Sequence, residues 1–124
     1  MQASQQLLVY LFWLRGFSNM IRGTTPQVLI KTNIPLDNIK EVWLTYSNDK
    51  KSIAITKKLS DCEIVDGQLI SYLTQEDTIK LNPDNINIKV STQVRILTTD
   101  DKAFASKVQR LDLESTLTEG MIYA

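Results

Sequence analysis

Histidine is absent from the 124 residues, cysteine occurs once, at Cys62, and glycine and proline number only four and three. Without histidine the chain lacks the side chain that most often serves as general base and as zinc ligand. A single cysteine allows no disulfide within the chain, no Cys–His nucleophile pair and no thiolate-rich metal site. It is compatible with a reducing compartment. Fourteen basic residues balance fourteen acidic ones, so no net field draws the protein to nucleic acid or to an anionic membrane. The longest apolar run, Leu7 to Leu14, falls far short of the roughly 20 residues that span a bilayer. There is no glycine-rich phosphate loop, paired-cysteine motif, GxSxG element or internal repeat. The expectation is a chain with no catalytic residue, no metal and no cofactor, that binds neither nucleic acid nor membrane.

What is present suits one globular domain: 43% hydrophobic and 23% charged residues over a length that can bury a single core. The stretch that organises it runs from Asn87 to Leu113 and predicts one long β-hairpin. Its first arm alternates, with Ile88, Val90, Thr92, Val94 and Ile96 on one face and Lys89, Ser91, Gln93 and Arg95 on the other. Strand side chains alternate between faces, so this arm has a buried side and a wet side. The polar loop Thr99-Asp100-Asp101-Lys102 leads into a second arm from Ala105 to Leu113. There Val108 falls out of phase with Leu111 and Leu113, which calls for a β-bulge near Lys107 to Gln109.

Upstream, Gln27 to Thr32, Ile39 to Ser47 and Ile53 to Lys57 predict three strands, the last two joined by the turn cluster Ser47-Asn48-Asp49-Lys50. Leu59 to Val65 predicts a fourth, with Cys62 a half-buried filler whose acidic neighbours raise rather than lower its pKa. Asp66-Gly67 is a tight-turn signal, and Gln68 to Leu73 returns as a fifth strand with Ile70 and Tyr72 on one face. Thr74 is a helix N-cap, with Glu76 and Asp77 suited to the first turn, so a short helix or 3-10 turn is expected near 75–80. Six or seven short strands with turns between them predict an all-β fold, an antiparallel β-sandwich of immunoglobulin-like kind. The sandwich is placed at residues 20–113, with 114–124 a tail or docking segment. Residues 1–19 are read as an N-terminal extension ahead of a true start at Met20. A short packed helix or strand and a membrane role are the alternatives.

Candidate functional residues are few. Trp43 stands on the otherwise polar face of its strand, either covering a sheet edge or serving as a stacking or partner-binding aromatic. Phe104 lies at the turn end of the long hairpin. Arg95, Lys107 and Arg110 form a solvated sheet face or an anion site. Trp43, Phe104, Arg95 and Arg110 are the residues expected to contact a partner. An exposed aromatic platform of Trp43, Tyr46 and Tyr72 would suit a carbohydrate- or cell-surface-binding module, but Tyr46 and Tyr72 are assigned to core faces. Glu76 and Asp77 are read as a helix cap rather than a catalytic acid pair.

Several phrases also carry a resemblance. Met20-Ile21-Arg22-Gly23-Thr24-Thr25-Pro26, Ile39-Lys40-Glu41-Val42-Trp43-Leu44-Thr45-Tyr46, Leu73-Thr74-Gln75-Glu76-Asp77-Thr78 and Val94-Arg95-Ile96-Leu97-Thr98-Thr99-Asp100-Asp101-Lys102-Ala103 resemble small proteins encoded in tail and virion-structure regions of Firmicutes phages and prophages. The resemblance spans roughly residues 20 to 113. It implies a β-rich structural component, related in architecture to the immunoglobulin-like N-terminal domains of phage baseplate proteins, with other phage structural proteins or further copies of itself as partners. The implied location is the virion tail, reached from the host cytoplasm during assembly. A glycine commonly follows the hairpin-loop aspartate in that family, whereas this chain has Asp101.

Overall fold

The computed structural model describes residues 9–13 and 19–123. Ten strands and one α-helix form a sandwich-like all-β fold from two sheets. The strands are β1 (Val9–Trp13), β2 (Asn19–Ile21), β3 (Gln27–Thr32), β4 (Ile39–Asn48), β5 (Ile53–Lys58), β6 (Glu63–Val65), β7 (Gln68–Tyr72), β8 (Ile88–Thr98), β9 (Ala103–Ala105) and β10 (Gln109–Glu114), with α1 at Gln75–Leu81 between β7 and β8. One sheet runs β1-β3-β7-β6; the other runs β2-β10-β8-β4-β5, with β9 also on β8. Every pairing is antiparallel except β2 with β10. The expected wholly antiparallel sandwich is corrected at that one edge, where β2 lies parallel to β10, the last strand. Of the leading segment, β1 pairs with β3 and Asn19 opens β2, while residues 1–8 and 14–18 lie outside the described residues.

The long hairpin is the spine of the larger sheet, and its alternation is the one expected. Val90, Thr92, Val94 and Ile96 are buried, while Lys89 and Arg95 are exposed. A three-residue loop closes the turn between Thr98 and Lys102, whose ends are tied by Thr98 N–H donating to the Lys102 carbonyl at 2.9 Å. Asp101 adopts φ 64°, so aspartate takes the left-handed position where the resembling family has glycine. A short polar side chain tolerates that conformation better than most. Past β9 the register moves by one residue, from Arg95↔Ala105 to Thr92↔Gln109, which is the expected bulge at Lys107–Val108. Ser106 pins it: its Oγ accepts from Val94 N–H at 3.1 Å, and Gln93 Nε2 donates to its carbonyl at 2.9 Å.

The core lies between the sheets. Val42, Leu44 and Tyr46 of β4, Val90, Val94 and Ile96 of β8 and Leu113 of β10 meet Ile30 of β3 and Leu69 of β7, with Leu73 and Leu81 closing one end. Burial of each such side chain stabilises by roughly 1.5–3 kcal/mol. Two local expectations are corrected here. Leu59–Asp61 is a 3-10 turn, not the start of a strand. The core face of β7 is Leu69 and Ser71, continued by Leu73, so Ile70 and Tyr72 point away from it. The run Leu-Ile-Ser-Tyr-Leu is apolar on both phases, and the buried Ser71 disguised the inner one. The Asp66-Gly67 turn has φ 50° and 75°, the two positive values that a tight hairpin turn of type I′ needs.

Helix α1 is seated by polar groups. Thr74 Oγ accepts from Asp77 N–H at 3.1 Å and Asp77 accepts from Thr74 N–H at 2.9 Å, a reciprocal cap. Asp77 also receives Lys57 of β5 at 2.7 Å. At the other end the last carbonyls find buried donors: Asn48 Nδ2 to Leu81 O at 2.7 Å and Arg22 Nε to Asn82 O at 2.6 Å. A helix C-terminus favours donors and cations because its final carbonyls have no partner in the helix. Thr78 and Asn82, both buried, complete the seam. Gly23 N–H donates to Thr78 Oγ1 at 2.9 Å, and Asn82 Nδ2 donates to the Ile86 carbonyl at 2.7 Å.

Candidate functional site

Cross-strand registers lay out the outer face of the larger sheet in rows, about 7 Å apart along the strands. One row reads Lys58–Trp43–Arg95–Ala105 across β5, β4, β8 and β9; the next reads Glu41–Leu97–Ala103. Trp43 and Arg95 of the first row and all three residues of the second, together with Ile96, line a shallow concavity of about 220 Å³. Trp43 is 43% exposed, and the Lys58 ammonium lies 5.5 Å from its ring centroid, a cation over the negative face of the indole. Two acids beside the row are engaged in holding the 3-10 turn: Glu41 Oε1 accepts from Leu59 N–H at 3.0 Å and Val42 N–H at 2.9 Å, and Asp61 Oδ2 accepts from Lys58 N–H at 2.9 Å. Among the described residues neither Lys58 nor Arg95 has an ion-pair partner. The row is therefore an exposed indole between two cations that form no ion pair among the described residues.

The expected partner-contacting residues are not all brought together. Trp43 and Arg95 are direct cross-strand neighbours. Phe104 is not on their face: it pairs with buried Ile96 and packs against the core. Its place beside the hairpin loop suggested exposure, but strand phase turns it inward. Arg110 shares the outer face but sits opposite Ser91, four residues along β8 from Arg95, or about 13 Å at ~3.3 Å per residue. The sheet thus separates Arg95 from Arg110. Arg110 borders a second groove, of about 570 Å³, together with Asp49, Lys89, Ser91 and Asp112. Acids and bases there are interspersed. Lys89 pairs with Asp112. Hydrogen bonds from Ser47 and Ser91, with the charge of Arg110 adding, hold the Asp49 carboxyl below its ordinary value.

Lys58 is the member that the sequence reading missed. The strand was expected to end at Lys57, whereas counting outward from the four-residue turn at 49–52 places Lys58 beside Trp43. The aromatic platform does not assemble. Tyr46 is wholly buried, and Tyr72, exposed against expectation, belongs to the other sheet. Burial pushes the Tyr46 phenol well above its ordinary pKa, with Ser71 opposing. Neither Tyr46 Oη nor Ser71 Oγ makes a hydrogen bond of good geometry among the described residues.

Glu76 and Asp77 serve α1, Glu76 through Lys80 at 3.2 Å and Asp77 through the cap and Lys57. Cys62 is half-buried, and burial first, then Asp61 and Glu41, push its thiol up to about 11. Among the described residues no three Cys, Asp or Glu side chains are arranged to hold a metal ion, and no helix is long and apolar enough to cross a membrane. Compared with protein-family models, curated proteins and solved structures, the chain finds no significant match in any of the three.

Proposed function

We propose that this chain is a non-enzymatic structural or assembly protein of a phage or prophage tail, one that works by docking other proteins of the particle on the Trp43 row. The observation that carries the reading is the Lys58–Trp43–Arg95 row itself. Trp and Arg are the residues most enriched at the energetic centres of protein interfaces, and an exposed indole already held in place sacrifices little freedom on burial. Two cations with no ion pair favour a partner surface that is acidic around an apolar anchor. The phage resemblance supplies the biological setting, and the immunoglobulin-like baseplate relationship belongs to the same proposal. So does a virion location, with assembly in the host cytoplasm.

Trp43→Ala and Arg95→Ala, introduced separately in the producing phage or prophage, test this reading. The expected result is loss of the protein from purified tail particles while its solubility and folding are retained. Unchanged incorporation by both variants would remove the row as the docking site. Specific, Trp43-dependent binding in a glycan screen would replace a protein partner with a carbohydrate one.

A further inference from the structure

One edge of the larger sheet is open. Strand β9 pairs with β8 on one side, and among the described residues no strand lies along its other side. Two hydrogen bonds fix which way its backbone groups face. Thr98 N–H donates to the Lys102 carbonyl and Ser106 N–H to the Val94 carbonyl, each at 2.9 Å. Bonded and unbonded pairs alternate along an antiparallel ladder, so Ile96↔Phe104 is a bonded pair, and Arg95↔Ala105 and Leu97↔Ala103 are not. The N–H and C=O groups of Ala103 and Ala105 therefore point away from β8, along the open edge. Charged side chains or a covering element usually blunt such an edge. Here both outward-bonding residues are alanines, and both are exposed.

The outer face beside that edge offers places for side chains. Ala103 forms one wall of the shallow concavity, about 220 Å³, that Trp43, Arg95 and Leu97 also line. Small-molecule pockets hold roughly 300–1,000 Å³, so this one suits a single apolar side chain of a larger partner. Ala105 is the cross-strand neighbour of Arg95, and only its methyl group stands between that arginine and the edge. Arg95, Lys58 and Lys107 are exposed and form no ion pair among the described residues. The acids of the hairpin loop are already paired, Asp100 with Lys102 at 3.8 Å and Asp101 with Lys40 at 3.1 Å. The charge that answers Arg95 has to come from the partner.

We propose that β9 accepts an extended segment of a partner protein as an added strand, one that carries an apolar residue and an acid two positions apart. The inference rests on the Trp43 row as the docking site and names what docks there. Residues two apart on a strand share a face. One of the pair, opposite Ala103, enters the concavity; the other, opposite Ala105, meets Arg95. The main chain of the segment bonds to the free N–H and C=O groups of the two alanines and supplies affinity whatever its sequence, while the two side chains supply specificity. Lys58 and Lys107 add a basic surround that favours a segment of net negative charge.

Selection from a library of random peptides on the immobilised full chain, followed by amide hydrogen exchange, tests it. The expected enrichment is an apolar residue two positions from Asp or Glu. A selected peptide should slow exchange of the Ala103 and Ala105 amides at least tenfold in the wild-type chain, and should bind Arg95→Ala at least tenfold more weakly. Ala105→Pro should abolish binding with the fold retained, because it removes a donor that β8 does not use and proline is tolerated at a strand edge. Absence of an enriched pattern overturns the proposal. So does unchanged exchange at Ala103 and Ala105 with peptide bound, a measurement that needs no variant to fold. A peptide that requires Trp43 and Arg95 but leaves the edge amides unprotected overturns strand addition and keeps the Trp43 row. One that protects the edge yet is indifferent to both Trp43→Ala and Arg95→Ala overturns the row, and this inference with it.

Discussion

Two regions invert the usual placement of polar and apolar groups, and they do so in opposite ways. In the seam under α1, Arg22, Asn48, Thr78 and Asn82 are buried, and each reaches a backbone group: Arg22 the Asn82 carbonyl, Asn48 that of Leu81, Thr78 the Gly23 N–H, and Asn82 the Ile86 carbonyl. On the outer face of the larger sheet, an indole is exposed between two cations that no acid neutralises. The four polar side chains of the seam are all engaged, which makes them structural. Groups outside touch one another, Lys58 over the Trp43 ring, and form no ion pair among the described residues. The residue type does not decide: Arg22 and Arg95 are both arginines, and only their partners differ.

Substitutions at the two regions should therefore separate stability from docking. The largest loss of stability is expected from Asn82→Ala, about 3 kcal/mol, since it strips buried partners from the backbone at Ile86. A fall in the urea midpoint with unchanged slope would measure it; a loss under about 1 kcal/mol would mean that the seam is not structural.

Asp77→Asn comes next, at about 1–2 kcal/mol at neutral pH, because it leaves the shielded Lys57 ammonium without its charge partner. Burial raises the Asp77 carboxyl, but hydrogen bonds from Lys57 and Thr74 and the lysine charge outweigh it, so the folded pKa lies below the ordinary value. Its contribution is present above the unfolded value of about 3.9 and is lost as pH falls through the lower folded value. The difference in stability between wild type and Asp77→Asn should shrink between pH 5 and about pH 2. A gap constant over that range would assign the loss to the cap alone.

Trp43→Ala should cost about 1 kcal/mol or less and, under the docking role proposed above, abolish incorporation into tail particles. A larger loss in thermal denaturation would make Trp43 a packing residue.

Tyr46→Phe should move stability the other way or not at all, by about 0–1 kcal/mol, because its buried hydroxyl has no well-formed hydrogen bond to lose. It is the counter-example to the seam, and clear destabilisation would show that the Tyr46–Ser71 contact is a real bond.

Arg95→Gln is expected to be the mildest, within about 0.5 kcal/mol of wild type in stability. Its effect should appear as weaker, less salt-sensitive association with purified tail particles.

How much could be read in advance follows the same division. Strand β8 was legible because buried Val90, Thr92, Val94 and Ile96 alternate with the more exposed polar residues Lys89, Ser91, Gln93 and Arg95. The cap at Thr74 and the turn at Asp66-Gly67 were legible because their chemistry is local. Strand β7 was misphased because both of its faces carry large apolar groups. Phe104 was misplaced because three residues of β9 contain too little alternation to show a phase. Trp43 was legible as the exception on a polar face and Arg95 as a member of the wet face of β8, whereas their neighbour Lys58 depended on hairpin register.

By itself the sequence determined the all-β class, the long hairpin with its bulge, the position of α1 and the exposure of Trp43. Each of these depends on residues within about a dozen positions of one another, where side-chain period and turn chemistry act directly. Only the tertiary structure decided that β2 lies parallel to β10, that Arg22 is an interior cation, that Glu119 answers it from 97 residues away, and that Arg95 and Arg110 stand apart. Those outcomes depend on which distant segment satisfies a buried polar group, and no local periodicity carries that information.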